Sequence, residues 1–128
     1  MKRVTAAVII ENGRLFIARR APGEALAGFW ELPGGKLEPG ETPQACLERE
    51  LLEEFGMCAM AGVEVGRTTY SYAHGEFELI ALAVERTSDF TLRVHDQAAW
   101  LLRDEVGDTM FAPADVELVA QIISSGYW

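Results

Sequence analysis

Gly35-Lys36-Leu37-Glu38-Pro39-Gly40-Glu41-Thr42-Pro43-Gln44-Ala45-Cys46-Leu47-Glu48-Arg49-Glu50-Leu51-Leu52-Glu53-Glu54-Phe55-Gly56-Met57 is the stretch that decides the fold. It opens as a glycine- and proline-rich loop and then changes character at Thr42-Pro43. A hydroxyl at the N-cap and proline at the first helical position are a helix start, and Gly56 is a helix stop. At 100° per residue, Leu47, Leu51 and Phe55 form an apolar stripe that faces a core. Glu50, Glu53 and Glu54 fall beside it within an arc of about 100°. Clustered carboxylates repel one another, and late in a helix they oppose the macrodipole. An oxygen-only cluster following a glycine loop that admits a ligand close to the backbone suits Mg²⁺ or Mn²⁺.

The chain around this stretch reads as strands. Val4 to Ile10 and Leu15 to Ala18 are apolar runs, joined by Asn12-Gly13, a pair that tolerates the positive φ of a tight hairpin. Phe29 to Leu32 reads as a short strand, Val63 to Tyr72 and Phe77 to Arg86 as two longer ones, and Gln97 to Leu102 as another short one. Arg103 to Val106 reads as a helical turn. A second helix starts near Pro113 and is expected to bury Val116, Val119, Ala120 and Ile123. Strands alternating with two helices imply an α/β fold with a mixed sheet covered on both faces.

Its 128 residues suit one domain spanning 1–128, and the 49% hydrophobic content suits an ordinary core. Twenty acidic residues against eleven basic ones, a formal charge of −9, argue against binding nucleic acid or an anionic membrane nonspecifically. A polyphosphate substrate would therefore require cations at the site itself. Cys46 and Cys58 form no C-x-x-C or Cys/His array, so a reduced, cytoplasmic setting is expected. Met1-Lys2-Arg3 before Val4 to Ile10 is superficially like a secretion signal, but the apolar run stops at Glu11-Asn12-Gly13 and alternates as a strand does. No apolar stretch approaches a membrane span.

Gly35, Glu41, Arg49-Glu50-Leu51, Glu53-Glu54 and Gly56-Met57 fill every fixed position of the signature box of the Nudix hydrolases, and the chain resembles that family. Arg19-Arg20, Phe29-Trp30-Glu31-Leu32-Pro33-Gly34-Gly35-Lys36 and Ala112-Pro113-Ala114-Asp115 resemble segments of its MutT-like branch, which hydrolyses nucleoside triphosphates. The resemblance implies the Nudix α/β/α sandwich. It also implies Mg²⁺-dependent hydrolysis of (deoxy)nucleoside triphosphates to a monophosphate and pyrophosphate by attack at the β-phosphorus, with Mn²⁺ able to substitute. Oxidised purines such as 8-oxo-dGTP and pyrimidine nucleotides are the expected substrates, and a monomer or homodimer the expected state.

Carried over by position, Glu50, Glu53, Glu54 and the Gly34 carbonyl would ligate metal. Glu53 or Glu50 would be the general base, Arg49 would orient Glu50 through a bidentate pair, and Glu41 would support the helix start. Arg20, more than Arg19, would contact phosphate. Trp30, Leu32 and Asp115, with Tyr72 behind them, would meet the base. The alternative for Asp115 is that it merely N-caps the second helix. An ionised Asp115 only accepts hydrogen bonds and favours an exocyclic amino group, as on cytosine; a protonated one imitates Asn and admits 8-oxoguanine. The sequence departs from the branch at Val94, six residues before Trp100, where a further Glu often stands; Asp96 or His95 would have to replace it. The alternatives are hydrolysis of dinucleoside polyphosphates, which Tyr70 and Tyr72 keep open, hydrolysis of nucleoside diphosphate sugars, and a non-catalytic nucleotide sensor. Such sensors usually lose box glutamates that this chain keeps.

Overall fold

The computed structural model describes residues 1–128. The chain runs β1 (Lys2–Val8), β2 (Ile10–Glu11), β3 (Arg14–Arg19), β4 (Trp30–Glu31), α1 (Pro43–Phe55), β5 (Ala59–Tyr72), β6 (Gly75–Arg86), β7 (Gln97–Leu101), a 3-10 turn (Arg103–Asp108) and α2 (Pro113–Ser124). A mixed sheet has the order β1-β6-β5, with β1 parallel and β5 antiparallel to β6. A second, antiparallel sheet is built on β3, which pairs with β2, β4 and β7. The expected strand Val4–Ile10 is thus divided between two sheets, with Ile9 as the crossing residue. The hairpin turn lies at Asn12-Gly13, both with positive φ.

Two cores explain why these strands read as unbroken apolar runs. Ala6 and Val8 of β1, Leu15 and Ile17 of β3, and Leu79 and Ala81 of β6 pack with Leu118, Val119 and Ile122 of α2. The alternate residues Ala7, Phe16, Ala18, Ile80 and Leu82, together with Ile9, pack with Leu47, Leu51 and Phe55 of α1. Both faces are buried, so the strands lack polar alternation. The result is the expected α/β/α sandwich, with one helix on each side.

Helix α1 begins and ends where its caps dictate. Thr42 Oγ1 accepts from the Ala45 N–H at 3.1 Å, and Gly56 takes the left-handed conformation at φ 58°. Helix α2 corrects the sequence reading. Its buried stripe is Asp115, Leu118, Val119 and Ile122, while Val116 is 56% exposed. The stripe is displaced by one residue because an acid, Asp115, faces inward. No helix is long and apolar enough to cross a membrane.

Strand β1 positions the site. β6 lies along one side of it. On the other side the Thr5 and Ala7 N–H groups donate to the carbonyls of Gly35 and Pro33 at 2.8 and 2.7 Å, and Leu37 N–H donates to Arg3 O. The glycine loop is thereby fixed as a strand-like strip beside the sheet.

Candidate active site

A cleft of about 340 Å³ opens between the glycine loop, the C-terminal half of α1 and the start of α2. Arg20, Glu31, Leu32, Gly34, Gly35, Glu54, His95 and Asp115 line it, with an apolar wall that includes Val4, Phe77, Leu79, Ala112 and Ala114.

At its acidic end, a Cβ on Gly35 would collide with the Glu50 carboxylate, and a Cβ on Gly34 with the Thr5 carbonyl. At Gly34 the clash is with backbone, so only glycine lets the loop approach the sheet this closely, while at Gly35 a side chain would displace the Glu50 carboxyl from its place. β1 takes the carbonyls of Pro33 and Gly35 and leaves that of Gly34 unused, as strand alternation requires. Arg49 gathers the acids around it. Its fork closes on Glu41 through Nε–Oε2 at 2.7 Å and Nη2–Oε1 at 3.0 Å. Nη1 donates to Glu50 at 3.0 Å and to Glu53 at 3.4 Å. The bidentate partner is therefore Glu41 and not Glu50, because Glu41 faces the guanidinium from across the helix start.

No three acidic, His or Cys side chains converge into a group able to hold a metal as the side chains stand; Glu50 and Glu53 lie on Arg49. Glu54 is the exception. Its Oε1 is buried and has no hydrogen-bond partner. Burial first, then the neighbouring Glu50 and Glu31, push its carboxyl up to about 8. Burial raises Glu50 as well, against the pull of Arg49. An orphaned buried carboxylate oxygen beside two more acids and a free carbonyl is a donor set that fits a hard divalent cation.

Strand pairing separates the two arginines. Arg19 lies opposite Trp30 and its guanidinium stacks 5.8 Å from that ring. It pairs with Asp96, Nε–Oδ1 at 2.9 Å and Nη2–Oδ2 at 3.1 Å. Arg19, Trp30 and Asp96 lie outside the lining of this cleft, whereas Arg20, Leu32 and Asp115 are part of it. Trp30 packs against the core cluster that includes Leu32 and Leu79. Asp96 is held by Arg19, whose guanidinium keeps its carboxyl below the usual range. Tyr70 and Tyr72 pack on Phe77 at 5.7 and 5.9 Å and are outside the lining too.

Arg20 does line the cleft, and its partner there is a residue to which the sequence reading gave no role. Glu31 accepts from Arg20 Nη1 at 2.8 Å and from His95 Nε2 at 2.8 Å. Burial works to raise the Glu31 carboxyl, but these two hydrogen bonds and their charges leave it below its ordinary value. An acid inside a short apolar strand next to the glycine loop was the available signal.

The far end of the cleft belongs to Asp115. The Trp30 N–H donates to Met110 O at 2.9 Å and the Ala112 N–H to Trp30 O at 2.7 Å, which seats the start of α2 beside β4. The N-cap is Ala112, so Asp115 is the third helical residue and caps nothing. It is 7% exposed. Burial, reinforced by Glu31 and opposed by Arg20, raises its carboxyl well above the ordinary value. A neutral carboxyl offers one donor and one acceptor side by side.

Residues 1–122 match the NUDIX domain. The chain is 35% identical over 123 residues to CTP pyrophosphohydrolase of Escherichia coli, covering 93% of this chain and 89% of that protein. It is 32% identical over 126 residues to the 8-oxo-dGTP diphosphatase of the same organism, covering 95% and 98%. The solution structure of the E. coli ORF135 protein superposes with a TM-score of 0.88 at 31% identity, over 97% of this chain and 89% of the other. With the glycine loop, the acidic helix and the sandwich that joins them all in place, this chain belongs to the Nudix hydrolase family.

Proposed function

We propose that this chain hydrolyses (deoxy)nucleoside triphosphates to the monophosphate and pyrophosphate in a divalent-metal-dependent reaction. The observation that carries the reading is the composition of one cleft. It holds a buried glutamate carboxyl with an unpartnered oxygen, an arginine, and an apolar pocket ending on a buried aspartate whose carboxyl is raised above its ordinary value. Those three features suit metal, phosphate and base in turn. The E. coli relatives named for CTP and 8-oxo-dGTP support it.

Glu50, Glu53, Glu54 and the Gly34 carbonyl would hold Mg²⁺, or Mn²⁺ in its place. The ion would neutralise phosphoryl charge and make bound water more acidic. Glu53, the most exposed of the three acids at 58% against 16% for Glu50, is the better base to take the proton of the attacking water on its carboxylate. Arg49 orients both. Arg20 binds phosphate, and Leu32 and the apolar wall enclose the base. Asp115 would donate to and accept from adjacent groups on the base edge. Cytosine offers N3 and the N4 amino group, and 8-oxoguanine offers O6 and N7–H; both complement a neutral carboxyl. A cytoplasmic setting belongs to the same proposal, because the substrates would be free nucleotides.

Purified protein with Mg²⁺, assayed against canonical and oxidised triphosphates in ¹⁸O-water, tests the reading. Monophosphate and labelled pyrophosphate are expected, with dCTP, CTP or 8-oxo-dGTP preferred. Orthophosphate as the first product would overturn it.

A further inference from the structure

The loop before β7 is bound to the end of the acidic helix. Thr91 N–H donates to Phe55 O at 2.8 Å and Arg93 N–H to Glu54 O at 3.2 Å. Arg93 Nη1 adds a bond to Leu52 O at 3.1 Å. This places the His95 ring flat on Phe55, with centroids 5.1 Å apart and planes 11° apart. The side chain is 3% exposed. From there Nε2 reaches Glu31 Oε2, while Glu31 Oε1 receives Arg20 Nη1, each at 2.8 Å. Arg20 Nε is bonded to the Ala25 carbonyl, and its Nη2 has no protein acceptor.

We propose that His95 is a positioning residue for nucleotide binding: through Glu31 it fixes the Arg20 guanidinium so that Nη2 is presented to a phosphoryl oxygen. This rests on the reading of the cleft as a triphosphate site. Held on one oxygen only, the Glu31 carboxylate would turn about its terminal torsion and release the arginine into several rotamers, all of which a substrate would have to re-order. Held on both, the donor is set before the substrate arrives. Packing alone does not account for an imidazole here. His95 Nδ1 is buried without a partner, a cost that a phenyl ring in the same stack would not carry. What the imidazole adds is the Nε2–Glu31 bond.

The test uses His95→Phe, which keeps the stack and loses the donor, and His95→Gln, which restores a donor at similar reach. Affinity is read with Mg²⁺ and a dCTP analogue carrying an α,β-imido bridge, and kcat and KM are read with dCTP. His95→Phe should weaken the analogue and raise KM about tenfold, the loss of one charge-assisted hydrogen bond. It should change kcat less than about threefold, since the loss is of binding. His95→Gln should recover most of the affinity. In an Arg20→Ala background His95→Phe should add less than about twofold, because the residue through which it acts is gone. An undiminished effect in that background, an unchanged affinity in the folded His95→Phe protein, or a loss confined to kcat would overturn the proposal. Should His95→Phe not fold, Glu31→Gln against Arg20→Ala decides by the same criterion. Wild-type protein that neither binds the analogue nor hydrolyses any triphosphate would instead overturn the functional reading on which this rests.

Discussion

Arg49 closes its guanidinium fork on Glu41, eight residues earlier, and reaches Glu50 and Glu53 only with its remaining donors. The glycine loop and the acidic helix are thereby tied at the helix start, and the two glutamates are oriented from that anchor. A lysine would keep the charge and lose the fork. Arg49→Lys should lower kcat/KM by about tenfold or more, with most of the loss in kcat. Unchanged kinetics would leave Arg49 as a surface ion-pair partner.

The same pair sets a pH signature. Hydrogen bonds from Arg49, then from the Glu38 backbone, lower the Glu41 carboxyl from 4.5 to about 2. A carboxyl depressed in the folded state contributes stability above its unfolded value and loses it as pH falls towards the folded one. The Tm difference between wild type and Glu41→Gln should therefore be constant above about pH 5.5 and close between about pH 4.5 and 2. A difference that persists at the acid end would assign the effect to something other than the ion pair.

Chelation should abolish turnover, and Mg²⁺ or Mn²⁺ should restore it. Glu53→Gln should lower kcat by at least ~10², the scale of a lost base or electrostatic stabiliser. Glu54 has a separate test that does not use activity. Its folded carboxyl is raised from 4.5 to about 8, so its charge opposes folding increasingly as pH rises through that window. Without divalent ions, Glu54→Gln should raise Tm more at the top of the window than at the bottom. Mg²⁺, which stabilises whatever folded state binds it, should raise Tm markedly in wild type and little in the variant. Equal Mg²⁺ shifts would remove Glu54 from the metal site.

The acidic helix, its caps and the doubly buried strands were legible because local chemistry and global fold agree there. Thr42, Pro43 and Gly56 are punctuation that any helix would use. The strands Ala6–Val8 and Leu15–Ala18 have only one way to bury both faces. The reading of α2 failed because its inward face carries an acid. Asp115 made the true stripe of α2 look polar, so Val116 and Ala120 were assigned inward in place of Leu118 and Ile122. Glu31 was passed over because its partners, Arg20 and His95, are distant in sequence, 11 and 64 positions away. Asp96 lay near the missing Glu position, yet its only strong neighbour is Arg19, a pairing created by the β3–β7 register. Functional sites break the local patterns from which folds are read.

Asp115 carries the last prediction. Burial first, reinforced by the Glu31 charge and opposed by Arg20, raises its carboxyl well above the ordinary value, which favours the neutral one of the two chemistries open to it. A neutral Asp and an Asn present the same adjacent donor and acceptor, so Asp115→Asn should retain activity on dCTP and 8-oxo-dGTP near neutral pH. Asp115→Ala, which leaves the base edge unpaired, should lose about tenfold or more on both. The two functional side chains part as pH rises. An ionised Asp115 only accepts, whereas Asn keeps its donor. The ratio of variant to wild-type kcat/KM should therefore climb with pH for the Asn protein, and taking the ratio cancels titrations common to both. Stability gives an independent reading of the same group. A carboxyl raised in the folded state destabilises the protein once pH exceeds its unfolded value, 3.8, and the cost grows until the folded value is passed. Asp115→Asn should accordingly raise Tm at neutral pH, by an amount that vanishes towards about pH 4. A higher Tm with a flat kinetic ratio would place a neutral Asp115 in the pocket wall without contact to the base. A flat ratio and an unchanged Tm together would show that the carboxyl is not held neutral, and base selection would then rest on Leu32 and the apolar wall.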